Sequence, residues 1–352
     1  MNTPGNVLDN YLKNSGMSRK ELSQRLNVSE KHICTIINGE KSISPAFARK
    51  LGYVFEDTAF WLNEQAKYDD EQSKIIEINS ITAEEIGILK VLHEVITYCI
   101  EKEYLHNNCG DAEKVMQLRD FLKISSLTLI PNITYNAAYR AQVSTNIKVD
   151  PYVLFAWQRI CEKETNDIEI AKMLDKKLLK AHINEIKALM FEDNVEKAMI
   201  SLQKMLADCG IAFQVVRNFR GAPVQGFIKE TTDNRLILCL TIRQKRADIF
   251  WFTLFHEIAH ILNCDYSSRF VDFDSASDSK EIKADEFAGN TLIPPKEYKE
   301  FLHSEKCTSI KGIRDFAKKI CVEPFIVIGR LQKDGIIDWT EYNNEIPRYV
   351  WE

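Results

Sequence analysis

Apolar positions repeat every three or four residues through most of the first 206 residues, a spacing typical of amphipathic helices. Between residues 211 and 243 the spacing changes to alternation, in three short segments: Ile211–Val216, Gly226–Lys229 and Leu236–Ile242. Helical spacing returns in an apolar run from Trp251 to Leu262. The pattern predicts a mainly α fold with a small β-sheet, in the α+β class.

Residues 1–68 are predicted to form a domain of short helices. Ser18 and Glu21 have the spacing of a capping box, which satisfies backbone N–H groups at a helix start. Ser29 is placed to cap the next helix after a short turn, and Pro45 occupies a first helical position. These signals predict helices separated by tight turns, in which two successive helices can form a helix-turn-helix.

A fifth helix is predicted from Thr58 to Lys67, followed by a polar segment, 69–75, that we interpret as a linker. Residues 76–190 form a helical middle region in which we find no chemical motif. Helix starts are predicted at Thr82, Asp111 and Asp150, and helical spacing also runs from Ile168 to Leu179. This region could separate the ends of the chain, sense a signal or simply pack.

The helix from Ser29 to Asn38 would be the recognition helix of the helix-turn-helix, the element that enters the major groove of DNA. Residues 1–67 contain nine basic and seven acidic residues, whereas the whole chain has a formal net charge of −5. A local basic surface therefore remains compatible with an acidic protein. The residues predicted to contact bases or phosphates are Arg19, Lys20, Ser29, Lys31, His32, Thr35 and Asn38, with Lys31, His32 and Thr35 nearest the bases.

The run from TPGNVLDNYLKN to AFWLNEQAKYD resembles the HigA-like antitoxins, a branch of the XRE-type regulators. The resemblance spans the whole amino-terminal domain. It implies a homodimer that binds a palindromic operator in double-stranded DNA, and it raises the possibility of a cognate toxin as a partner. The alternative is a helical dimerisation module with no role on DNA.

The most informative motif is His256-Glu257-Ile258-Ala259-His260, an HExxH sequence inside the apolar run. On a helix, His256 and His260 lie on one face, where two imidazoles can bind one metal ion. Glu257 lies beside them and is the candidate general base that acts on water. Three polar groups in an otherwise apolar helix would be costly to bury without such a partner.

A peptidase-type zinc site needs a third protein ligand, and the segment EIKADEFA supplies candidates. Glu281 and Asp285 are four residues apart and face the same way on a helix. If Glu281 binds zinc, Asp285 can accept the free ring N–H of a ligating histidine. Glu286 is the competing ligand, and Cys264 could bind zinc but is more simply interpreted as a small buried cysteine.

The order HEIAHIL then EIKADEFAGNTLIP resembles the ImmA/IrrE family of zinc metallopeptidases over roughly residues 190–300. The resemblance implies a zincin-like domain, placed at 191–305, with Zn²⁺ held by His256, His260 and Glu281 and with Glu257 as general base. Family members often carry an acid where this chain has Lys283. The family also implies a narrow substrate, a repressor or antitoxin cleaved in a stress, phage or toxin–antitoxin response.

Residues 306–352 form a predicted helical extension, and its run from Phe316 to Leu331 parallels the run from Leu22 to Ile37. It has the form of a second helix-turn-helix. Its recognition positions would be Glu323, Phe325 and Ile326, which are poor partners for phosphate. We therefore interpret it as a packing element of the peptidase domain.

Composition indicates the redox state of the cysteines and the cellular location that we expect for the protein. Nine cysteines occur singly and no CxxC pair is present, a pattern that fits reduced thiols rather than a disulfide framework. We find neither an apolar run of membrane-spanning length nor a signal sequence at the start, so we expect a cytoplasmic protein with no membrane partner.

Three functional hypotheses follow from these motifs. The first is a DNA-binding regulator fused to a zinc metalloendopeptidase, whose oxyanion donor could be Tyr266, Arg269 or Tyr298. The second is a HigA-like antitoxin or autorepressor whose zincin domain is a scaffold or sensor. The third is a purely structural zinc, which the glutamate of HExxH argues against.

Overall fold

The computed structural model describes residues 3–133, 149–170, 173–231, 234–264 and 277–350. In chain order its elements are α1 (Pro4–Ser15), α2 (Arg19–Leu26), α3 (Glu30–Ile37), α4 (Pro45–Leu51), α5 (Thr58–Ser80), α6 (Ala83–Val91), α7 (His93–Glu101), α8 (Asp111–Leu122), α9 (Pro151–Asn166), α10 (Lys176–Ala188), α11 (Val195–Asp208), β1 (Ile211–Val215), β2 (Gly226–Glu230), β3 (Leu236–Leu240), α12 (Ala247–Asn263), α13 (Ser277–Leu292), α14 (Pro295–Leu302), α15 (Ile310–Lys319) and α16 (Pro324–Lys333). The predicted α+β class is confirmed. Within the described ranges, no helix combines the length and apolar character needed to cross a bilayer.

Contacts divide the chain into two compact units. The first consists of Met1–Ile86 with Cys109–Met116, and the second consists of Gly87–Asn108 with Gln117–Glu352.

The first unit contains the helix-turn-helix, formed by α2 and α3. The Ser18 Oγ accepts the backbone N–H of Glu21 at 3.1 Å, and the Ser29 Oγ accepts that of His32 at 3.1 Å. These caps fix both helix starts, as the sequence predicted. Large apolar side chains that are at most 1% exposed fill its core, among them Leu8, Leu22, Ile33, Ile36, Leu51 and Trp61.

The predicted end of the fifth helix at Lys67 was wrong. Helix α5 continues to Ser80, so residues 69–75 are part of this helix. The physical reason is that glutamate, glutamine and lysine are good helix formers. An ion pair four residues apart, Asp70 to Lys74 at 2.6 Å, adds a small contribution.

The second unit contains one sheet with the strand order β1-β3-β2. Strand β1 runs parallel to β3 with Ile211 opposite Leu236, and β2 runs antiparallel to β3 with Gly226 opposite Leu240. All five residues of β3 are buried, as expected of a central strand. The three predicted strands are confirmed, and β2 is left at an edge of this sheet.

Helix α12 is the centre of the core of the second unit. It packs against the sheet, α13 and α16, and its Trp251, Leu254, Phe255 and Ile258 are completely buried. Helix α16 approaches it so closely that a Cβ at Gly329 would lie 2.2 Å from the Asp248 Oδ2. As expected, the second helix-turn-helix is a packing element, because Phe325 and Ile326 are only 5% and 4% exposed.

The helix predicted from Ile168 to Leu179 is also wrong in part. Helix α9 ends at Asn166 and α10 begins only at Lys176. The side chain of Asp175 accepts the backbone N–H groups of Lys177 and Leu178, both at 3.0 Å. Because this carboxylate satisfies two donors that a continuous helix would bond to carbonyls, the helix starts there.

Candidate metal centre and helix-turn-helix surface

Helix α12 brings the two histidines of the HExxH motif together in the interior. His256 is 7% exposed and His260 is fully buried. Their Nε2 atoms lie 3.0 Å apart, since residues four apart share one helix face. Both Nε2 atoms can therefore contact a single bound ion.

Helix α13 supplies the third group. The Glu281 Oε2 lies 3.1 Å from the Nε2 of His256, and the Glu281 Oε1 lies 3.0 Å from the Nε2 of His260. One ligand atom from each of the three residues falls within 4.8 Å of the others. The exposed Glu286, on a different face of α13, does not belong to this cluster.

Asp285 fixes the orientation of the first histidine. The Oδ1 of Asp285 lies 2.8 Å from the Nδ1 of His256. Burial opposes ionisation of this carboxyl, but the hydrogen bond and charge of His256, helped by Lys333 and His260, hold the pKa of Asp285 below its ordinary value. When Asp285 accepts the Nδ1–H of His256, the Nε2 of the same ring is left directed at the cluster.

The candidate base, Glu257, lies against the start of the edge strand. It is 4% exposed, and a Cβ added to Gly226 would fall 2.3 Å from its Oε1. A side chain at position 226 would force the carboxylate to move, so glycine allows Glu257 to lie in this position. Sequence reasoning placed Gly226 in a strand but missed this role, because nothing local links positions 31 residues apart.

The donor set fits a metal ion. Two imidazole nitrogens and a carboxylate oxygen form the His₂Glu combination of catalytic zinc sites, with room for a further ligand. Without an ion, two histidine nitrogens and a carboxylate would be crowded into a buried space at hydrogen-bond distance. The residues present therefore could hold a metal.

Three other candidates from the sequence have different outcomes. The hydroxyl of Tyr298 donates to the Oδ2 of Asp334, the residue that follows α16, at 2.9 Å. Tyr266 and Arg269 lie outside the described residues.

Cys264 is exposed, so the interpretation as a buried cysteine was wrong. It caps the end of α12 in the left-handed conformation, with φ of 56°, where the chain leaves the core. Its Sγ contacts the Nζ of Lys176 rather than the metal cluster.

The residues predicted to contact DNA differ in their exposure. Lys20, Ser29, Lys31 and Asn38 are exposed, whereas His32 and Thr35 are half-buried. Ser29 is occupied as the cap of α3, and the hydroxyl of Thr35 donates to the carbonyl of His32 at 2.9 Å. The ring of His32 packs edge-on against Phe47 at 5.0 Å between centroids.

The remaining predicted contact, Arg19, is exposed and ion-paired. Its Nη2 lies 3.0 Å from the Oδ1 of Asp9 on α1. Among these positions Lys20 and Lys31 therefore offer the cations least engaged with the protein.

The chain has relatives among known regulators. It is 32% identical over 96 residues to the uncharacterized HTH-type transcriptional regulator YbaQ from each of two Escherichia coli strains, which covers 27% of this chain and 82% of that protein. It is 38% identical over 71 residues to virulence-associated protein A' of Dichelobacter nodosus, which covers 20% of this chain and 62% of that protein. No family model matches the chain.

The capped α2–α3 pair and these matches define the class of protein, a helix-turn-helix regulator. The chain belongs to the family of HTH-type transcriptional regulators. Since the match covers about a quarter of the chain, the metal centre has to be judged on its own geometry.

Proposed function

We propose that this protein is a DNA-binding transcriptional regulator that also carries a zinc-dependent endopeptidase. The observation that carries the proposal is the convergence of His256, His260 and Glu281 beside the carboxylate of Glu257. Order and spacing of these residues resemble the ImmA/IrrE metallopeptidases. The proposed substrate is a specific regulatory protein, such as a repressor or antitoxin.

In this proposal His256, His260 and Glu281 hold Zn²⁺. A bound zinc ion supplies Lewis-acid chemistry, which polarises a carbonyl group and makes water more acidic. Asp285 holds the ring of His256 in the tautomer that presents Nε2.

Glu257 acts as the general base. Its carboxylate takes a proton from the attacking water and delivers it to the leaving amine of the peptide. Gly226 lets this carboxylate lie against β2. The substrate backbone pairs with β2 as an added strand, since β2 is an edge of the sheet among the described strands.

The helix-turn-helix provides the DNA-binding half of the proposal. Helix α3 enters the major groove, with Lys31 facing bases or phosphates and Lys20 facing the phosphates. Resemblance to the HigA-like antitoxins supports a homodimer on a palindromic operator.

Glu257→Gln provides the direct test. The variant keeps the shape of the side chain and all three zinc ligands, so zinc content near one per chain is expected for both proteins. New protein amino termini should be identified by mass spectrometry in cells that express wild type or variant. Termini that appear only with wild type are expected, and identical sets of termini would contradict the peptidase.

A second candidate is a HigA-like antitoxin or autorepressor in which the zincin-like domain cleaves nothing. The observation that favours it is that the matched relatives are named for transcription regulation and virulence. This second candidate predicts that Glu257→Gln binds the operator as tightly as wild type does. It also predicts that neither wild type nor the variant cleaves a protein.

A further inference from the structure

A cavity of about 290 Å³ adjoins the metal centre. It shares the side chains of Gln225, Phe252 and Thr253 with the small cleft that contains His256, Glu257 and Glu281. A peptide that reaches the candidate base along β2 would pass the mouth of this cavity, because Gln225 directly precedes that strand.

The walls of the cavity are largely apolar. They include the side chains of Ile249, Phe252, Leu292, Ile293, Ile326 and Trp339. For scale, an apolar protein cavity of roughly 150 Å³ accommodates benzene. The space is therefore large enough for one bulky aliphatic or aromatic side chain, and too small for a folded segment.

A lysine of the cavity wall lies over the ring of Phe252, a residue that the cavity shares with the cleft of the metal centre. Lys333 lines the cavity, and its Nζ lies 4.6 Å from the centroid of the Phe252 ring. Within the described part of the chain no carboxylate lies within ion-pair distance of Lys333, whereas the neighbouring Arg330 is paired with Asp334 at 2.8 Å.

We propose that this cavity is the specificity subsite of the enzyme, taking a bulky apolar side chain of an extended peptide while Lys333 faces a carboxylate on the adjoining substrate residue. The inference rests on the proposed peptidase function and names its substrate class. It also assigns a role to the second helix-turn-helix, since Ile326 and Lys333 both belong to α16.

The test measures binding rather than cleavage. The protein is full-length, zinc-loaded Glu257→Gln, and the probes are acetyl-Gly-Phe-Glu-amide and its single replacements with Ala for Phe or Gln for Glu. Isothermal titration should show the Phe peptide binding at least about tenfold more tightly than the Ala peptide, because one methylene in an apolar pocket already contributes roughly tenfold or more. The Glu peptide should bind several-fold more tightly than the Gln peptide.

Further substitutions in that protein, each with a control, show which residues cause the two preferences. Ile326→Trp fills the cavity and should abolish the Phe preference, while Ile336→Trp, at a residue that is 42% exposed, should preserve it. Trp339→Ala is a second variant, and it should fold normally because Trp339 is 55% exposed. It should weaken the preference for the Phe peptide several-fold. Lys333→Ala should remove the preference for Glu, whereas Lys318→Ala on the exposed face of α15 should not.

Equal binding of the Phe and Ala peptides would overturn the inference, and so would no measurable binding of any probe at millimolar concentration. A Phe preference that persists in Ile326→Trp and in Trp339→Ala would also overturn it. A preference lost in these two variants, in a protein whose wild type cleaves nothing in cells, would support the subsite and contradict the peptidase. The failures of the two proposals are therefore distinguishable.

Discussion

The two helix-turn-helix pairs of this chain, α2–α3 and α15–α16, have the same turn, but the second helix of the first pair is partly exposed and that of the second pair is buried in a core. Asn27 and Cys321 both adopt the left-handed conformation, with φ of 49° and 54°. The next residue closes the same backbone hydrogen bond in each pair, from Val28 to the carbonyl of Ser23 and from Val322 to that of Ala317, both at 3.0 Å. Backbone geometry alone therefore does not tell a DNA-reading pair from a packing pair.

The difference lies in the side chains of the second helix. Lys31 is exposed on α3, while Phe325 at the matching position of α16 is 5% exposed in the core. Thr35 of α3 matches Gly329 of α16, where a side chain would collide with Asp248 of α12. The comparison teaches that the same supersecondary unit can present a surface or complete a core, according to which positions are apolar or small.

The largest contrast should come from these matched positions. Phe325→Ala removes a buried aromatic ring and should lower the free energy of unfolding by about 3–5 kcal/mol. Lys31→Ala removes an exposed side chain and should change it by less than about 0.5 kcal/mol. Denaturant unfolding followed by circular dichroism measures both. Equal effects would contradict the division into a core helix and a surface helix.

A second contrast concerns metal affinity. The α15–α16 pair lies in the same unit as the metal centre, so an acid of α15 can serve as the control for an acid of α13 that contacts the cluster. If His256 binds zinc as proposed, Asp285→Asn should weaken zinc binding by about 10–100-fold, since Asp285 orients the ring of His256. Competition with a chromophoric chelator at constant pH measures this affinity. Asp315→Asn, an exposed acid of α15, is the control and should leave zinc affinity unchanged; an equal loss there would point to a general charge effect.

Salt dependence of DNA binding should separate the two pairs in the opposite sense. If Lys31 neutralises one phosphate, Lys31→Ala should reduce the slope of log affinity against log salt by about 0.9. Lys318→Ala removes the same charge from α15 and should leave the slope unchanged. Fluorescence anisotropy measures the affinity, with a DNA duplex from the protein's own promoter region. The salt concentration is varied over a roughly fourfold range, from about 50 to about 200 mM. A smaller slope with Lys318→Ala would show that the α15–α16 pair contacts DNA and would contradict its interpretation as a packing element.

The smallest contrast concerns the helix starts. The Ser29 Oγ caps α3, whereas the matching Glu323 makes no side-chain cap on α16, which instead begins with Pro324. Ser29→Ala should destabilise the first unit by about 1 kcal/mol. Glu323→Ala should change the stability of the second unit by less than about 0.5 kcal/mol. Thermal unfolding measures both, and a larger effect at Glu323 would show a contact beyond capping.

Features that depend on nearby residues could be predicted from the sequence. The caps at Ser18 and Ser29, the three strands and the facing pair His256 and His260 all follow from spacing or local hydrogen bonding. The choice of Glu281 over Glu286 followed from helix periodicity, with α13 predicted from its pattern.

Features that depend on distant residues could not be predicted. The contact between Gly226 and Glu257 needs the sheet and α12 to be placed first. The cavity beside the metal centre has walls from four separated parts of the chain. The polar run after Lys67 was ambiguous for another reason: its residues suit an exposed helix as well as a linker, and no buried face decides between them.

The glycine at position 226 also has an evolutionary consequence. Its lack of a side chain lets the carboxylate of Glu257 keep its present position, because a Cβ would fall 2.3 Å from the Oε1. In a lineage that has lost this glutamate, selection no longer has that reason to keep glycine, and alanine or serine can accumulate there. Glycine at 226 is therefore expected in lineages that keep Glu257 and is expected to be replaced more often in lineages that have lost it.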